Sequence, residues 1–88
     1  MTGVNWSKKC AFLTGWFVRS SPTVSPDGAV VYVGSGDKSL YAVNTADGSK
    51  KWAFRTGWYV TSSPTVSSDG AVVYVGSYDK NLYAVNAN

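Results

Sequence analysis

The sequence contains no histidine and no glutamate, and its single cysteine is Cys10. Without histidine, neither a Ser–His nor a Cys–His nucleophilic pair can be built, and one cysteine allows no disulfide within the chain. Zinc-type spacings of cysteine and histidine are missing as well. We therefore expect a protein that is not an enzyme and that has no metal and no cofactor. The acidic residues are five aspartates, each in a predicted turn where turn chemistry accounts for it: Asp27, Asp37, Asp47, Asp69 and Asp79.

Long runs of one kind of residue are also missing. No run of basic residues exceeds two and the net charge is +3, so a nucleic-acid surface is not indicated. No apolar stretch is long enough to span a bilayer, and residues 1–4 lack the basic and apolar regions of a signal peptide. We expect no nucleic-acid or membrane partner and a cytoplasmic location as expressed.

Almost the whole chain is a tandem repeat. Residues 7–46 return as residues 49–88 with a constant shift of 42 positions, and all but nine of the aligned pairs are identical. A period of about 40–45 residues that carries several short strands is typical of a β-propeller blade. The near-identity of the two copies favours an engineered protein or an excised fragment.

Glycine, proline, aspartate and asparagine divide each copy into short segments that are rich in β-branched and aromatic residues. The inner segments are apolar at consecutive positions, which fits an antiparallel sheet that is covered on both faces. A two-sheet sandwich, in which each strand has one polar face, is the less favoured alternative. We predict an all-β fold with strands at 8–14, 17–25, 29–35, 39–44, 50–56, 59–67, 71–77 and 81–86.

The segment from Ala42 to Trp52 resembles the tryptophan-docking motif of the pyrroloquinoline-quinone (PQQ) repeat propellers. It has the Ala, the Gly six positions on at Gly48 and the Trp ten positions on, while Asn44 stands where aspartate is usual. The Thr-Gly, Ser-Ser-Pro, Asp-Gly and Tyr-Val-Gly-Ser segments fit the same repeat. The resemblance covers almost the whole chain and implies a β-propeller of four-stranded antiparallel blades, two per chain.

By this resemblance, Trp52 docks against the neighbouring blade and ties the blades together. Cys10 takes its place in the first copy, either as a small buried hydrophobe or as a reactive thiol. PQQ dehydrogenases hold a calcium or related ion partly with a glutamate, and adjacent cysteines often flank the cofactor; neither occurs here. The enzyme chemistry of the family is therefore not expected to carry over. Its members are often exported or periplasmic.

The order of the predicted strands implies assembly. In propellers of this family the outermost strand leads into the innermost strand of the next blade, so residues 15–56 form a whole blade and residues 57–88 form three inner strands. Residues 1–14 then complete a blade of a neighbouring chain. Head-to-tail contacts of this kind close into rings or continue as fibres. We expect a cyclic homo-oligomer with strand exchange, a tetramer of eight blades being favoured over a trimer of six.

Two features could serve binding. Turns rich in Trp and Tyr are expected to project from one end of the ring and suit a carbohydrate or a planar, quinone-like ligand, although packing of the tryptophans between blades is the simpler interpretation. One arginine falls on the innermost strand, where it would line either a solvated channel or an anion site. The candidate binding residues are Trp16, Phe17, Arg19, Trp58, Tyr59 and Tyr78. A scaffold without a ligand, a binding module and, least favoured, an enzyme remain the three classes of function.

Overall fold

Each copy of the repeat forms one antiparallel sheet in the computed structural model, which describes residues 12–15, 17–18 and 20–88. Strands follow one another in sequence order across both sheets, and no helix occurs in the described ranges. The first sheet consists of β1 (Thr23–Val24), β2 (Val30–Gly34), β3 (Ser39–Asn44) and β4 (Lys50–Arg55). The second consists of β5 (Thr65–Val66), β6 (Val72–Gly76) and β7 (Leu82–Asn86).

Aspartate–glycine turns form the first hairpin of each sheet. In the first sheet, Gly28 adopts a φ of 76°, which a residue with a side chain adopts only at a cost. The Asp27 carboxylate accepts hydrogen bonds from the Ser25 hydroxyl at 2.6 Å and from the Ala29 backbone N–H at 3.0 Å. The Asp69 turn repeats these contacts at the same distances. The turns therefore have the local structural role that was expected for these aspartates.

The innermost strands are shorter than the sequence predicts. Of residues 17–25, only Thr23–Val24 forms a strand, and Val18 adds a single bridge to Ser35. Between them, the Ser20 hydroxyl accepts from the Gly34 N–H at 2.7 Å and donates to the Gly34 carbonyl at 3.2 Å. The Ser20 side chain thus makes the hydrogen bonds with Gly34 that a neighbouring backbone would make in a regular sheet. The proline that follows, Pro22, has no N–H to donate to such a sheet.

The predicted strand at 8–14 lies mostly outside the described residues. Residues 12–14 are described and are not in a strand. The predicted strands at 29–35, 50–56, 71–77 and 81–86 are present, and most of their ends differ by one residue from those predicted. The 39–44 strand is matched at both ends by β3.

The two sheets stack face to face. We call the side of each sheet that carries Tyr32 or its counterpart Tyr74 the front face, and the opposite side the back face. The front face of the first sheet packs on the back face of the second sheet, and Val60 contributes to the same core. The apolar inner strands are therefore in contact with a neighbouring sheet on at least one side, as a stack of blades requires. The buried residues of this core are Val30, Tyr32, Leu40, Ala42, Val60, Val73, Val75 and Ala87.

Candidate functional site

The interface between the sheets is tight at its inner edge. A Cβ atom added to Gly34 would lie 2.3 Å from Cγ1 of Val60, a separation that is too short for two carbon atoms. The glycine therefore allows the segment before β5 to approach the end of β2. Val60 is completely buried there, and its N–H donates to the Ser35 carbonyl at 3.3 Å.

Polar contacts align the same interface. The Trp52 indole N–H donates to the Ala87 carbonyl at 2.9 Å. The Thr23 hydroxyl donates to the Pro64 carbonyl at 2.5 Å, and the Ser21 N–H donates to the Ser63 hydroxyl oxygen at 3.0 Å. These directional bonds favour the observed alignment of the two sheets.

Residues of the docking motif lie at the outer part of the first sheet. Ala42 is fully buried and lies opposite Trp52 in the β3–β4 register, and the Trp52 ring packs on Tyr32 with centroids 5.8 Å apart. Gly48 has a φ of 76° and donates its N–H to the Asn44 carbonyl at 2.9 Å. The Asn44 side-chain amide donates to the Ser49 hydroxyl. Cys10 lies outside the described residues.

Equivalent front-face residues differ sharply in exposure between the copies. Leu40 is fully buried, whereas its counterpart Leu82 is 76 % exposed. Tyr32 is buried and its counterpart Tyr74 is exposed. The sequences of these strands are almost the same. The difference arises because, within the described part of this chain, the front face of the second sheet has no neighbour and β7 has no outer strand beside it.

The back face of the first sheet is only partly covered: Val43 is buried, and Val31 and Val33 are half-buried. Val18 is 51 % exposed, while its counterpart Val60 is fully buried. A groove of about 280 Å³ runs over this face. Of its lining residues, Val18, Val31, Val33 and Val43 have counterparts in the second copy that pack in the core against the front face of the first sheet. The groove is lined by Phe12, Thr14, Val18, Pro22, Val31, Val33, Val43 and Gly48.

Phe12 contributes its ring to the lining of this groove. Its ring lies 5.1 Å from the Tyr41 ring with an interplanar angle of 64°. Across the interface between the sheets, Phe54 of β4 lies 5.3 Å from Tyr83 at the same angle. The ring pair on the back face of the first sheet therefore matches the ring pair between the two sheets.

Exposed aromatic side chains gather at the end of the molecule where the turns between β2 and β3 and between β6 and β7 lie. We call Phe17, Trp58, Tyr59 and Tyr78 the aromatic end. The Trp58 and Tyr59 rings are 4.7 Å apart at 41°, and the Lys38 ammonium lies 4.8 Å from the Trp58 ring centroid. The Tyr78 N–H donates to the Tyr59 carbonyl at 3.0 Å. All four side chains are exposed, and Trp58 is 43 % exposed although both sheets beside it are present.

The Asp79 carboxylate accepts hydrogen bonds from the segments beside the aromatic end. Asp79 accepts the Gly57 N–H at 2.8 Å, the Asn81 N–H at 2.9 Å and the Tyr83 hydroxyl. These bonds, that from Tyr83 first, hold the pKa of Asp79 below its ordinary value. Asp37 accepts from Gly15, Ser39 and Tyr41 in the first copy in the same way.

Sequence reasoning placed Asp37 and Asp79 in turns but missed their long-range bonds. The repeated spacing of four positions between an aspartate and a tyrosine, at 37 and 41 and again at 79 and 83, is the signal that could have found them. The turn of Lys38 and the turn of Trp58 were both expected at this end, but Lys38 was not among the predicted binding residues. Among the predicted binding residues, the structure brings together Trp58, Tyr59 and Tyr78. Trp16 and Arg19 lie outside the described residues.

A second cavity, of about 250 Å³, lies between the sheets at the opposite end. The Asp27 and Asp69 turns, Lys51 and Tyr32 are among its lining residues. The pKa of Asp27 is lowered by the Ser25 hydroxyl, the Ala29 N–H and the charge of Lys51. Both aspartates are already hydrogen-bonded within their own turns. We therefore do not regard this polar cavity as a ligand site. Within the described ranges, no cluster of residues could hold a metal ion, and no helix is long and apolar enough to cross a membrane.

Comparison with known proteins assigns the repeat. A search of curated proteins found no significant match. The family model described as outer membrane protein assembly factor BamB, which is of the PQQ-repeat type, matches residues 3–88. Because this match extends over nearly the whole chain and agrees with two antiparallel sheets of consecutive strands, the protein belongs to the family of PQQ-like repeats.

Proposed function

We propose that the chain is a non-catalytic repeat scaffold that binds copies of itself head to tail and closes into a β-propeller ring. The observation that supports this is the pair of open faces. The front face of the second sheet exposes Leu82 and Tyr74, whose counterparts Leu40 and Tyr32 are buried against a back face. The groove on the back face of the first sheet is the counterpart of the surface that buries them.

The energetics favour association. Burying a side chain such as Leu or Val contributes about 1.5–3 kcal/mol relative to leaving it exposed, and Leu82, Tyr74 and Val18 all have exposed surface to bury. The contact joins two different faces, so it continues from copy to copy until a ring closes. Propellers hold about four to eight blades. Eight blades correspond to a tetramer, which the family resemblance favours, and six correspond to a trimer.

Native mass spectrometry at micromolar concentration tests this proposal. We expect a mass four times that of the 9.4 kDa chain, with three times as the second expectation. The variant Leu82→Asp places a charge on the front face of the second sheet and should yield the monomer. Tyr78→Asp, also at an exposed aromatic or apolar position but outside both faces, is the matched control and should keep the ring. A well-folded monomer of the parent protein contradicts the proposal.

A second candidate function is binding of a carbohydrate at the aromatic end. It is favoured by one observation: Trp58 stays 43 % exposed between two sheets that are both present, so docking of further copies leaves it open. Stacked aromatic rings suit the apolar faces of sugars, and the Lys38 ammonium beside Trp58 favours an acidic sugar over a neutral one.

Calorimetric titration tests the second candidate. An oligosaccharide that contains uronic acid should release binding heat that is reduced for its neutral counterpart and lost in Trp58→Ala. Lys38→Gln should reduce the preference for the acidic sugar. Equal heats for the parent protein and Trp58→Ala contradict a ligand role for this end.

A further inference from the structure

Among the strands that the structure describes, the second sheet has an open edge that the first sheet lacks. In the first sheet, β3 pairs with β2 on one side and with β4 on the other. In the second sheet, β7 pairs with β6 alone among the described strands, and its alternate residues Leu82, Ala84 and Asn86 are exposed. Unpaired backbone N–H and C=O groups on an edge are a template for another strand. The edge of β7 that corresponds to the β4 side of β3 is therefore available for a fourth strand.

The chain itself contains a close copy of the strand that this edge needs. Residues 8–13 read Lys-Lys-Cys-Ala-Phe-Leu, and β4 reads Lys-Lys-Trp-Ala-Phe-Arg. The two segments differ only where Cys10 replaces Trp52 and Leu13 replaces Arg55. Both have the lysine pair that suits the outermost strand of a blade, where edge-guarding charge is common.

Pairing within one chain is disfavoured by the place of Phe12. Phe12 packs on Tyr41 of the first sheet with the geometry that Phe54 of β4 has on Tyr83 of the next sheet. An outer strand that contains Phe12 therefore belongs to a blade that precedes the first sheet. The open edge of β7 belongs instead to the second sheet, which follows the first sheet.

We propose that residues 8–13 of a second copy pair with β7 as its fourth, antiparallel strand, in the register that β4 has on β3. This inference rests on the proposed self-assembly and names the segment and alignment by which it occurs. In the first sheet, Leu40 lies opposite Phe54, Ala42 opposite Trp52 and, after a bulge, Val43 opposite Lys50. Replacing each residue of these pairs by its counterpart in the other repeat gives the proposed register. Leu82 then lies opposite Phe12, Ala84 opposite Cys10 and Val85 opposite Lys8 of the second copy.

The native cysteine makes this register testable by a single substitution. Directly opposed residues of antiparallel strands have Cα atoms about 4.5–5.5 Å apart, within the range of about 4.4–6.8 Å that a disulfide spans. In Ala84→Cys, oxidised glutathione should join the new thiol of one chain to Cys10 of the next, the two thiols giving their electrons and protons to the oxidant. A denaturing, non-reducing gel should then show a ladder that ends at the size of the ring and collapses on reduction.

Two control variants have the new thiol at positions that should not cross-link. Tyr83→Cys lies on the same strand but on the opposite face of the sheet. Ala42→Cys lies at the equivalent position of the first sheet, where Trp52 already occupies the partner position. Both should give far less ladder than Ala84→Cys under the same oxidant. Should Ala84→Cys fail to fold, the pair Leu82→Cys and Phe12→Cys in a Cys10→Ser background tests the same register.

The outcomes separate this inference from the proposed function. If native mass gives the ring but Tyr83→Cys cross-links as well as Ala84→Cys, or neither does, the register is wrong while self-assembly stands. A disulfide that forms within a single chain overturns exchange between copies. A folded parent monomer overturns the proposed function itself.

Discussion

At the scale of single residues, close approach of the two sheets depends on the missing side chain of Gly34. Its counterpart Gly76 has a different neighbourhood, because the nearest atom to a Cβ there is the Ser62 hydroxyl at 3.3 Å. The equivalent of the Gly34–Val60 contact would be made by Gly76 with Val18 of a second copy. In the proposed ring, Gly34 would therefore act inside the chain and Gly76 between chains.

Gly34→Ala should destabilise the folded chain by about 1–3 kcal/mol, the usual effect of overpacking. Gly76→Ala should leave the fold of the chain intact and weaken its association, because the new methyl group meets an incoming Val18. Thermal unfolding together with native mass spectrometry checks both. Equal effects of the two substitutions on unfolding, with an unchanged oligomer, would argue against a second interface like the first.

Trp52→Ala should destabilise far more than Cys10→Ala. Trp52 loses its packing on Tyr32 and its bond to the Ala87 carbonyl, which together fit a loss of about 3 kcal/mol for truncation of a large aromatic residue. Cysteine to alanine removes only one sulfur atom. Chemical denaturation of both variants measures the difference, and small, equal losses would show that the docking contact contributes little.

Asp79 should cause the free energy of unfolding to fall as the pH becomes acidic. Its bonds from Tyr83, Gly57 and Asn81 keep the pKa of the folded state below the ordinary 3.8, so the unfolded chain takes up a proton first as pH falls. The contribution is therefore complete above about pH 5 and is lost as pH drops through the lower, folded-state pKa.

Asp79→Asn should lower the unfolding temperature at pH 7 and flatten its decline between about pH 5 and pH 2. Melting curves of both proteins across that range provide the measurement. Parallel curves for Asp79→Asn and the parent would show that this carboxylate does not cause the acid dependence.

At the scale of elements, each sheet shows how side chains and strands share the backbone hydrogen bonds. β1 and β5 are two residues long because serine hydroxyls take the place of ladder partners before the proline. By contrast, β2 pairs with β3 over its whole length, and β6 does so with β7. Among the described strands, β7 differs from β3 in having no outer partner. In the proposed ring, a segment of another copy would supply that partner.

Deletion of residues 1–14 should abolish the soluble ring. The remaining chain keeps both sheets but loses the segment proposed to pair with β7, which leaves an unprotected edge. Size-exclusion chromatography should give monomer or aggregate, and a synthetic peptide of residues 7–14 should partly restore the ring. The same oligomer and melting temperature after the deletion would show that this strand is not exchanged.

At the scale of the whole molecule, the chain is small for independent stability. A domain of this size buries only about 60–65 % of its unfolded surface, and a single cysteine offers no internal disulfide to compensate. The exposed Leu82, Tyr74 and Val18 reduce its own core further. In the proposed ring, association supplies the missing core, and stability then becomes a property of the assembly.

The unfolding midpoint should therefore rise with protein concentration, because the associated state gains by mass action and the unfolded chain does not. Melting curves over a hundredfold range of concentration measure this shift. Leu82→Asp, the variant that is not expected to associate, should show no such shift and should melt at a lower temperature throughout. A midpoint of the parent that is independent of concentration would mean that the monomer is the stable unit.

The sequence by itself determined the repeat, the strand order and the family, because the period, the Asp-Gly turns and the Ala42-to-Trp52 motif are local patterns. It also located both ends of β3, where apolar residues run between two turns. It could not show that Leu40 and Leu82, identical in type and setting, differ in exposure, since that depends on which face finds a neighbour. Nor could it bring Lys38 to Trp58 or Asp79 to Gly57, since these contacts join segments that are distant in the sequence. Those decisions belong to the tertiary structure, in which stacking of one sheet on the other buries one face of each and leaves the complementary pair open.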